Sequence, residues 1–378
     1  MEYKKLGDIA TYINGYAFKP EQRGNEGLPI IRIQDLTGNA YDLGYYNGDY
    51  PKKVELNDGD VLISWSASLG VYLWNRGKAL LNQHIFKVVF DKVEIDKFYF
   101  MYAVEYNLDK MSLKTHGATM KHITKKDFDN VVIPYPDLDY QKEVAYRLTS
   151  LKGIIENYKK QLDLLDELVK ARFVEMFGDL ESNSMNWEKS LLANKLNVIG
   201  GYAFRSSEFN ECEGIPVLRI GNINSGYFKP VNMVYWKENP RLSKYEVYPG
   251  DLVMSLTGTV GKDDYGNVCI LGNEYGMYYL NQRNAKLEIV NGLNKYYLTQ
   301  LLKFSYIKDK LTGINRGVRQ ANISNKDILD LVVPVPPLEL QNRFASFVQE
   351  VDKSRSRIQK SLEASQELFD SLMQEYFG

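Results

Sequence analysis

Residues 138–178 read LDYQKEVAYRLTSLKGIIENYKKQLDLLDELVKARFVEMFG, and residues 338–378 read LELQNRFASFVQEVDKSRSRIQKSLEASQELFDSLMQEYFG. In the first stretch Val144, Leu148, Leu151, Ile155, Tyr158, Leu162, Leu165, Val169 and Met176 fall on one seam, mostly in alternating steps of four and three. That heptad pattern is sustained long enough to predict a coiled coil rather than an ordinary surface helix. The second stretch keeps the seam at Phe344, Val348, Val351, Ile358, Leu362, Phe369, Leu372 and Tyr376, with Arg355 and Ser365 interrupting it. A helix of about 40 residues is roughly 60 Å long and cannot hide such a stripe alone. The simplest partner of each helix is the other, packed antiparallel. Leu148, Leu151, Ile155, Leu162 and Leu165 would then face a seam built from Val351, Ile358, Leu362 and Phe369. The plainer alternative, two amphipathic helices on separate cores, fits the length and the repetition less well.

The repeat extends beyond the helices. Gly15-Tyr16-Ala17-Phe18 returns as Gly201-Tyr202-Ala203-Phe204, and LPIIRI at 28–33 returns as IPVLRI at 215–220. Gly59-Asp60 before VLIS returns as Gly250-Asp251 before LVMS, and Leu81-Asn82-Gln83 returns as Leu280-Asn281-Gln282. GATMKHITKKDFDNVVIPYP from Gly117 returns as GVRQANISNKDILDLVVPVP from Gly317. The offset between copies grows from 186 at Gly15 to 200 at Leu138, so the second copy carries loop insertions. The expected division is a globular domain at 1–137, a long helix at 138–180, a second domain at 181–337 and a second helix at 338–378. Short β-rich runs at 29–33, 61–65, 71–74 and 85–90, and helices near 96–106 and 293–305, predict an α+β domain with a twisted antiparallel sheet in each copy. Pro134, Pro136, Pro334, Pro336 and Pro337 fix an extended link from domain to helix.

Composition sets the remaining bounds. The chain has 378 residues, 44% hydrophobic and 25% charged, with a formal net charge of −1, so any nucleic-acid partner must meet a local basic surface. Cys212 and Cys269 have no neighbouring cysteine or histidine, which argues against a disulfide framework or a zinc site. The charged start MEYKKLGDIA lacks a signal-peptide core and no apolar run approaches a membrane span, so a cytoplasmic protein is expected. Neither a GxxxxGK[ST] phosphate loop nor a GxGxxG turn is present; Gly261-Lys262 lacks the upstream glycine. A Pro-Pro-Tyr motif of amino-methyltransferase type is missing too. His84, His116 and His122 are all in the first half, which excludes a catalytic histidine common to both copies. The expectation is a chain with no catalytic residue, no metal and no cofactor.

The informative polar stretches precede the proline links. Lys110, Lys114, Lys121, Lys125 and Lys126, with His116 and His122, occupy 110–126 without an acid. Lys303, Lys308, Lys310, Arg316, Arg319 and Lys326 occupy 303–326 with one acid, Asp309. Each stretch holds a glycine loop, and Lys, Arg, Gln and Asn are side chains that reach phosphates and base edges. Around a shared Gly and Ile, Ala118-Thr119-Met120-Lys121-His122 stands against Val318-Arg319-Gln320-Ala321-Asn322. A common scaffold with different polar tips suits two domains that read different sequences. The candidate DNA contacts are therefore Lys114, His116, Thr119, Lys121, His122, Arg316, Arg319, Gln320 and Asn322. Tyr45, Tyr46, Trp65, Tyr235 and Trp236 could stack on DNA, though such residues are more often core or hairpin aromatics.

With these motifs in this order, twice over, the chain resembles the specificity subunit of type I restriction-modification systems along essentially its whole length. The opening Leu6-Gly7-Asp8 and the closing Pro336-Pro337-Leu338-Glu339-Leu340-Gln341 belong to that pattern. The first copy departs to Pro136-Asp137-Leu138-Asp139-Tyr140-Gln141. The resemblance implies two target-recognition domains separated by an antiparallel coiled coil with an internal pseudo-twofold. It also implies a non-catalytic subunit that binds double-stranded DNA. Its implied partners are two methylation subunits and, for cleavage, two ATP-dependent restriction subunits. A self-contained methyltransferase or nuclease using the repeat as scaffold is the alternative; a dimeric helical adaptor without nucleic acid is a weaker one.

If the long helices act as a ruler between the two domains, inserting residues within 153–166 should change the number of unspecified base pairs in the target and leave both half-site sequences intact. DNA presents the same face about every 10–10.5 bp, so the unaltered spacer should be a fixed number of a few base pairs. Leu162→Pro should instead break the helix, at about 3 kcal/mol or more, and abolish assembly with the methylation partner. The methylated motif of an insertion mutant decides: a changed half-site with an unchanged spacer means the helices are not the ruler.

Overall fold

The computed structural model describes residues 2–38, 42–114, 123–259, 264–312 and 320–378, without the side chains of 111–114, 259, 320 and 321. Two compact units are present, Met1–Lys160 with Gln359–Gly378, and Gln161–Ile358. The long helices run over Leu138–Phe177 and Leu338–Phe377, so each unit takes in part of both.

Each unit closes on itself through its first and last strands. Tyr3–Lys5 pairs antiparallel with Val132–Pro134 in the first, and Lys189–Leu191 with Val332–Pro334 in the second. Two four-stranded sheets follow the same plan in both. One is antiparallel: Thr11–Asn14, Ile85–Val89, Val61–Ser64 and Gly70–Leu73, with Leu196–Gly200, Asn284–Ile289, Leu252–Ser255 and Val268–Ile270 as the second copy. The other orders Gly44–Tyr46, Leu28–Ile31, Ala79–Leu81 and Glu55–Leu56, and it is not wholly antiparallel as expected. Ile30 registers in parallel with Leu80, and Val217 with Tyr279. The chain between these two strands is long and carries strands of both sheets, which gives it the reach that a parallel crossover needs. The expected strand at 29–33 also stops at Ile31, because Asp35 accepts from the Arg32 amide at 2.8 Å and turns Ile33–Thr37 into one helical turn.

The repeated apolar tetrapeptides explain themselves here. All of Val61–Ser64 and Leu252–Ser255 is buried. Successive side chains on a strand point to opposite faces, so each strand serves two cores. Val61 and Ile63 join Phe100 and Leu148 on the helical side, while Leu62 joins Leu56 and Leu81 on the other. Leu252 and Met254 join Phe173 and Phe344, while Val253 joins Leu218 and Tyr278. The Gly-Asp ahead of each strand is a turn: Gly59 and Gly250 have φ of 92° and 86°, and their carbonyls accept from Lys97 and Lys295 Nζ at 2.7 and 3.0 Å.

In the first unit, Val144 and Leu148 near the start of one long helix share a core with Met373, Tyr376 and Phe377 at the end of the other. Arg147 donates to the Tyr376 hydroxyl at 3.3 Å. In the second unit, Phe173 and Phe177 near the end of the first helix lie 5.3 and 5.5 Å, ring to ring, from Phe344 near the start of the second. Both contacts are antiparallel. Leu148, Leu151, Ile155 and Val351 are buried, and Leu162, Leu165, Ile358, Leu362 and Phe369 are half-buried. Phe173, Phe177 and Phe377 extend the seam beyond the positions that heptads mark, since near the helix ends the partner is also the domain's own helix. Phe173 stacks on Tyr297 at 5.3 Å.

Arg355, which breaks the seam, is held in the second unit by the Asp166 carboxylate at 2.5 Å. Tyr227 donates to the same carboxylate, and the Lys303 ammonium stands 4.4 Å above its ring. Burial pushes the Lys303 ammonium down from its ordinary range and the Asp352 carboxyl up. No helix among the described residues is long and apolar enough to cross a membrane.

The repeated glutamine fastens helix to domain. Gln141 Nε2 donates to the Pro136 carbonyl at 2.8 Å and its Oε1 accepts from the Asp96 amide at 2.9 Å. Gln341 does the same with Pro336 at 2.8 Å and Asn294 at 2.8 Å. Tyr99 and Tyr297 add hydroxyl bonds to the carbonyls of Pro134 and Pro334 at 3.1 and 2.9 Å. Gln341→Ala should therefore cost about 1–3 kcal/mol for each group left stranded, and the urea midpoint should fall. An unchanged midpoint would show that the glutamine is not a fastener.

Candidate nucleic-acid interface

The two glycine loops are rooted identically. Thr124 and Ser324 cap the one-turn helices Lys125–Asp129 and Asn325–Leu329, accepting from the amides of Asp127 and Asp327, each at 3.2 Å. Just before them, the Ile123 amide donates to Trp65 O at 3.1 Å and the Ile323 amide to Leu256 O at 2.8 Å. In the second unit Gln320–Asn322 forms a short strand against Thr257–Thr259, with Asn322 opposite Thr257. Asn322 is exposed. Lys114 is the last residue of the helix Lys97–Lys114, and its side chain is not among those described. His116, Thr119, Lys121, His122, Arg316 and Arg319 lie outside the described residues, and of Gln320 the backbone alone is described.

Several basic residues of these stretches are paired with other groups of the protein, some of them at the surface. Lys303 is half-buried over Tyr227, and Lys308 donates to Asn267 at 2.6 Å. Lys310 stands 4.2 Å over the Tyr306 ring. Lys125 and Lys326 each meet a carboxylate one turn on, Asp129 and Asp330, at 2.5 Å. Four of the candidate aromatics, Tyr46, Trp65, Tyr235 and Trp236, are held by other rings. Trp65 stacks on Phe86 at 5.5 Å, Tyr46 packs on Phe18 at 5.1 Å and Trp236 on Phe204 at 5.0 Å. The Tyr235 hydroxyl bonds that of Tyr275 at 3.1 Å.

Beside each loop root the structure places a feature that motif reading did not assign to the site. The Asn-Gln repeat is a tight turn locked to the Gly-Tyr-Ala-Phe repeat. The Gln83 amide donates to Tyr16 O at 3.0 Å and the Gln282 amide to Tyr202 O at 2.8 Å. A Cβ on Gly15 would lie 2.0 Å from Asn82 O, and one on Gly201 2.2 Å from Asn281 O, so glycine is sterically required. Gln83, Gln282 and Arg283 are exposed on this turn. The signal available in the sequence was the conjunction of an identical turn with a differing next residue, His84 against Arg283.

Nothing in the described residues forms a group of three or more His, Cys, Asp or Glu able to hold a metal ion. Cys212 is exposed, whereas burial pushes the Cys269 thiol up to about 12, far from a nucleophilic thiolate at neutral pH.

The fold defines a duplicated scaffold with equivalent loop roots at Ile123-Thr124 and Ile323-Ser324. The chain belongs to the type I restriction modification DNA specificity domain family, whose profile matches residues 1–166 and again 185–366. It is 25% identical to the type I restriction enzyme MjaVIII specificity subunit of Methanocaldococcus jannaschii, over 95% of this chain and 89% of that protein. It is 20% identical to the EcoBI specificity subunit of Escherichia coli, over 94% of this chain and 80% of that protein. The crystal structure of the type I restriction-modification S subunit from M. genitalium shares the fold, with a TM-score of 0.59 at 16% identity over 100% of this chain and 96% of that one.

Gly201→Ala should force the 280–284 turn away from Tyr202, at about 1–3 kcal/mol for the overpacked contact. Hydrogen exchange should show the Gln282 amide losing protection while the Gln83 amide keeps its own. Unchanged protection at Gln282 would refute the latch.

Proposed function

We propose that this chain is the DNA-reading subunit of a type I restriction-modification complex, with one domain for each part of a bipartite, asymmetric duplex target. The observation that carries the reading is the pair of loops rooted by the same hydrogen bonds in both domains but bearing different polar residues. Family membership and the names of the relatives support it. The candidate loop contacts are Lys114, His116, Thr119, Lys121 and His122 for the first domain, and Arg316, Arg319, Gln320 and Asn322 for the second. The chain itself is non-catalytic and carries no cofactor. Two methylation subunits and, for cleavage, two restriction subunits supply the chemistry, in the cytoplasm. The relatives' role as specificity subunits favours this over a self-contained methyltransferase or nuclease.

Selection from a random duplex pool with single alanine variants tests the division of labour. An Arg or Gln that reads a base should cost about 1–3 kcal/mol and relax one position, whereas a phosphate-binding Lys should weaken all sequences alike. Loss at both half-sites from one second-loop variant would refute the assignment. The purified chain, incubated alone with S-adenosylmethionine, ATP and DNA, should neither methylate nor cut; robust turnover by a homogeneous preparation would favour the self-contained enzyme.

A further inference from the structure

We propose that Arg283, carried on the Asn281–Asn284 turn, reads a guanine in the half-site of the second domain; this rests on the DNA-reading function above. Base readout needs a rigid backbone carrying a polar side chain that the protein leaves unused. The turn meets the first condition. The amides of Asn281, Gln282 and Asn284 donate to Leu218, Tyr202 and Asn281 carbonyls at 3.3, 2.8 and 2.9 Å. The Arg283 amide donates to Asn281 Oδ1 at 3.3 Å, and the Asn284 side chain, itself fully buried, donates to Leu218 O at 2.8 Å. The Arg283 and Asn284 carbonyls accept from Leu256 and Gly201 at 2.8 and 3.1 Å.

The second condition separates Arg283 from Arg32, Arg76, Arg205 and Arg219, though the exposed Arg241, whose one hydrogen bond is from its backbone amide, meets it too. Arg32 meets Asp35, Arg205 meets Glu208, Arg76 donates to Asp35 O and Arg219 to Asn232 O. The exposed guanidinium of Arg283 makes no hydrogen bond or ion pair with any described residue, and neither does the exposed side-chain carboxamide of Gln282. Both line an open cavity of about 580 Å³ together with Phe204, Phe209 and Arg219.

Position supplies the third support. Leu256 accepts the Ile323 amide at its carbonyl and donates its own amide to Arg283 O, so loop root and turn are fastened to one residue. A side chain there approaches the same stretch of duplex as the loop. A guanidinium fork takes the O6 and N7 acceptors of guanine with two donors in one fixed plane, a geometry that an ammonium lacks and an imidazole cannot supply. In the first domain the corresponding residue is His84, whose ring packs on Trp65 at 5.1 Å with Nδ1 buried. That turn cannot make the same contact, so this guanidinium–guanine contact belongs to the second domain alone.

The test uses the full-length chain, with and without co-expressed methylation subunits, against a pool of duplexes randomised at every position. Arg283→Ala should reduce discrimination at one guanine about ten- to hundred-fold and leave every other preference in place. Arg283→Lys should keep the salt dependence of binding and only part of the guanine preference, because it retains charge and donors without the planar fork. Thermal melting of both variants controls for folding, and the exposed side chain predicts no change. Uniform weakening across all sequences would make Arg283 a phosphate contact and overturn the inference, as would an unaltered motif. If the unmutated chain enriches no motif in either preparation, the DNA-reading function falls and this assignment with it.

Discussion

A long amphipathic helix cannot bury its apolar face on a domain that supplies one side of it. In the first unit Val144 and Leu148 reach full burial because Met373, Tyr376 and Phe377 close over them. In the second, Phe344 and Val351 are covered by Val169, Phe173 and Phe177. Each domain core therefore continues into the helix pair without a break, and the sheets, links and loops are positioned by that continuity. The polar fasteners work inside this frame. Gln141 and Gln341 are almost fully buried with their amide groups hydrogen bonded, so helix and domain are joined by directional bonds as well as by apolar area.

Repetition made much of this legible in the sequence. Heptad spacing survives any detail of packing, so the two long helices were readable from their seams, and their antiparallel contact from the need of each stripe for a partner. The paired glycines and the Asn-Gln motif were visible as repeats, but their meaning was not. That Gly15 and Asn82 touch is a long-range contact, and no local pattern encodes it. The parallel pairing of Ile30 with Leu80 was hidden for the same reason. Periodicity tells which residues face inward, not which strand lies beside which.

The site was less legible than the fold. Counting lysines and arginines overstated the surface available to DNA. Lys303 counts as a cation in the sequence, yet it sits over the Tyr227 ring near Asp166 and Asp352. Charge composition cannot distinguish a basic residue that faces solvent from one that neutralises a neighbour. Conversely, Arg283 looked like any other residue after a repeated turn. Its isolation from carboxylates became apparent with the neighbours in place.

The covering of the first domain by the far end of the chain has a consequence for synthesis. Tyr106 meets Gln374, which follows it by 268 positions. As the chain emerges from the ribosome, the first domain has its sheets and its own long helix well before Met373, Tyr376 and Phe377 exist to cap them. Contacts of such sequence separation form late and slowly. The nascent first half thus carries an open apolar edge throughout translation of the second, a period in which chaperone capture or pairing with the same edge on a neighbouring nascent chain competes with correct closure.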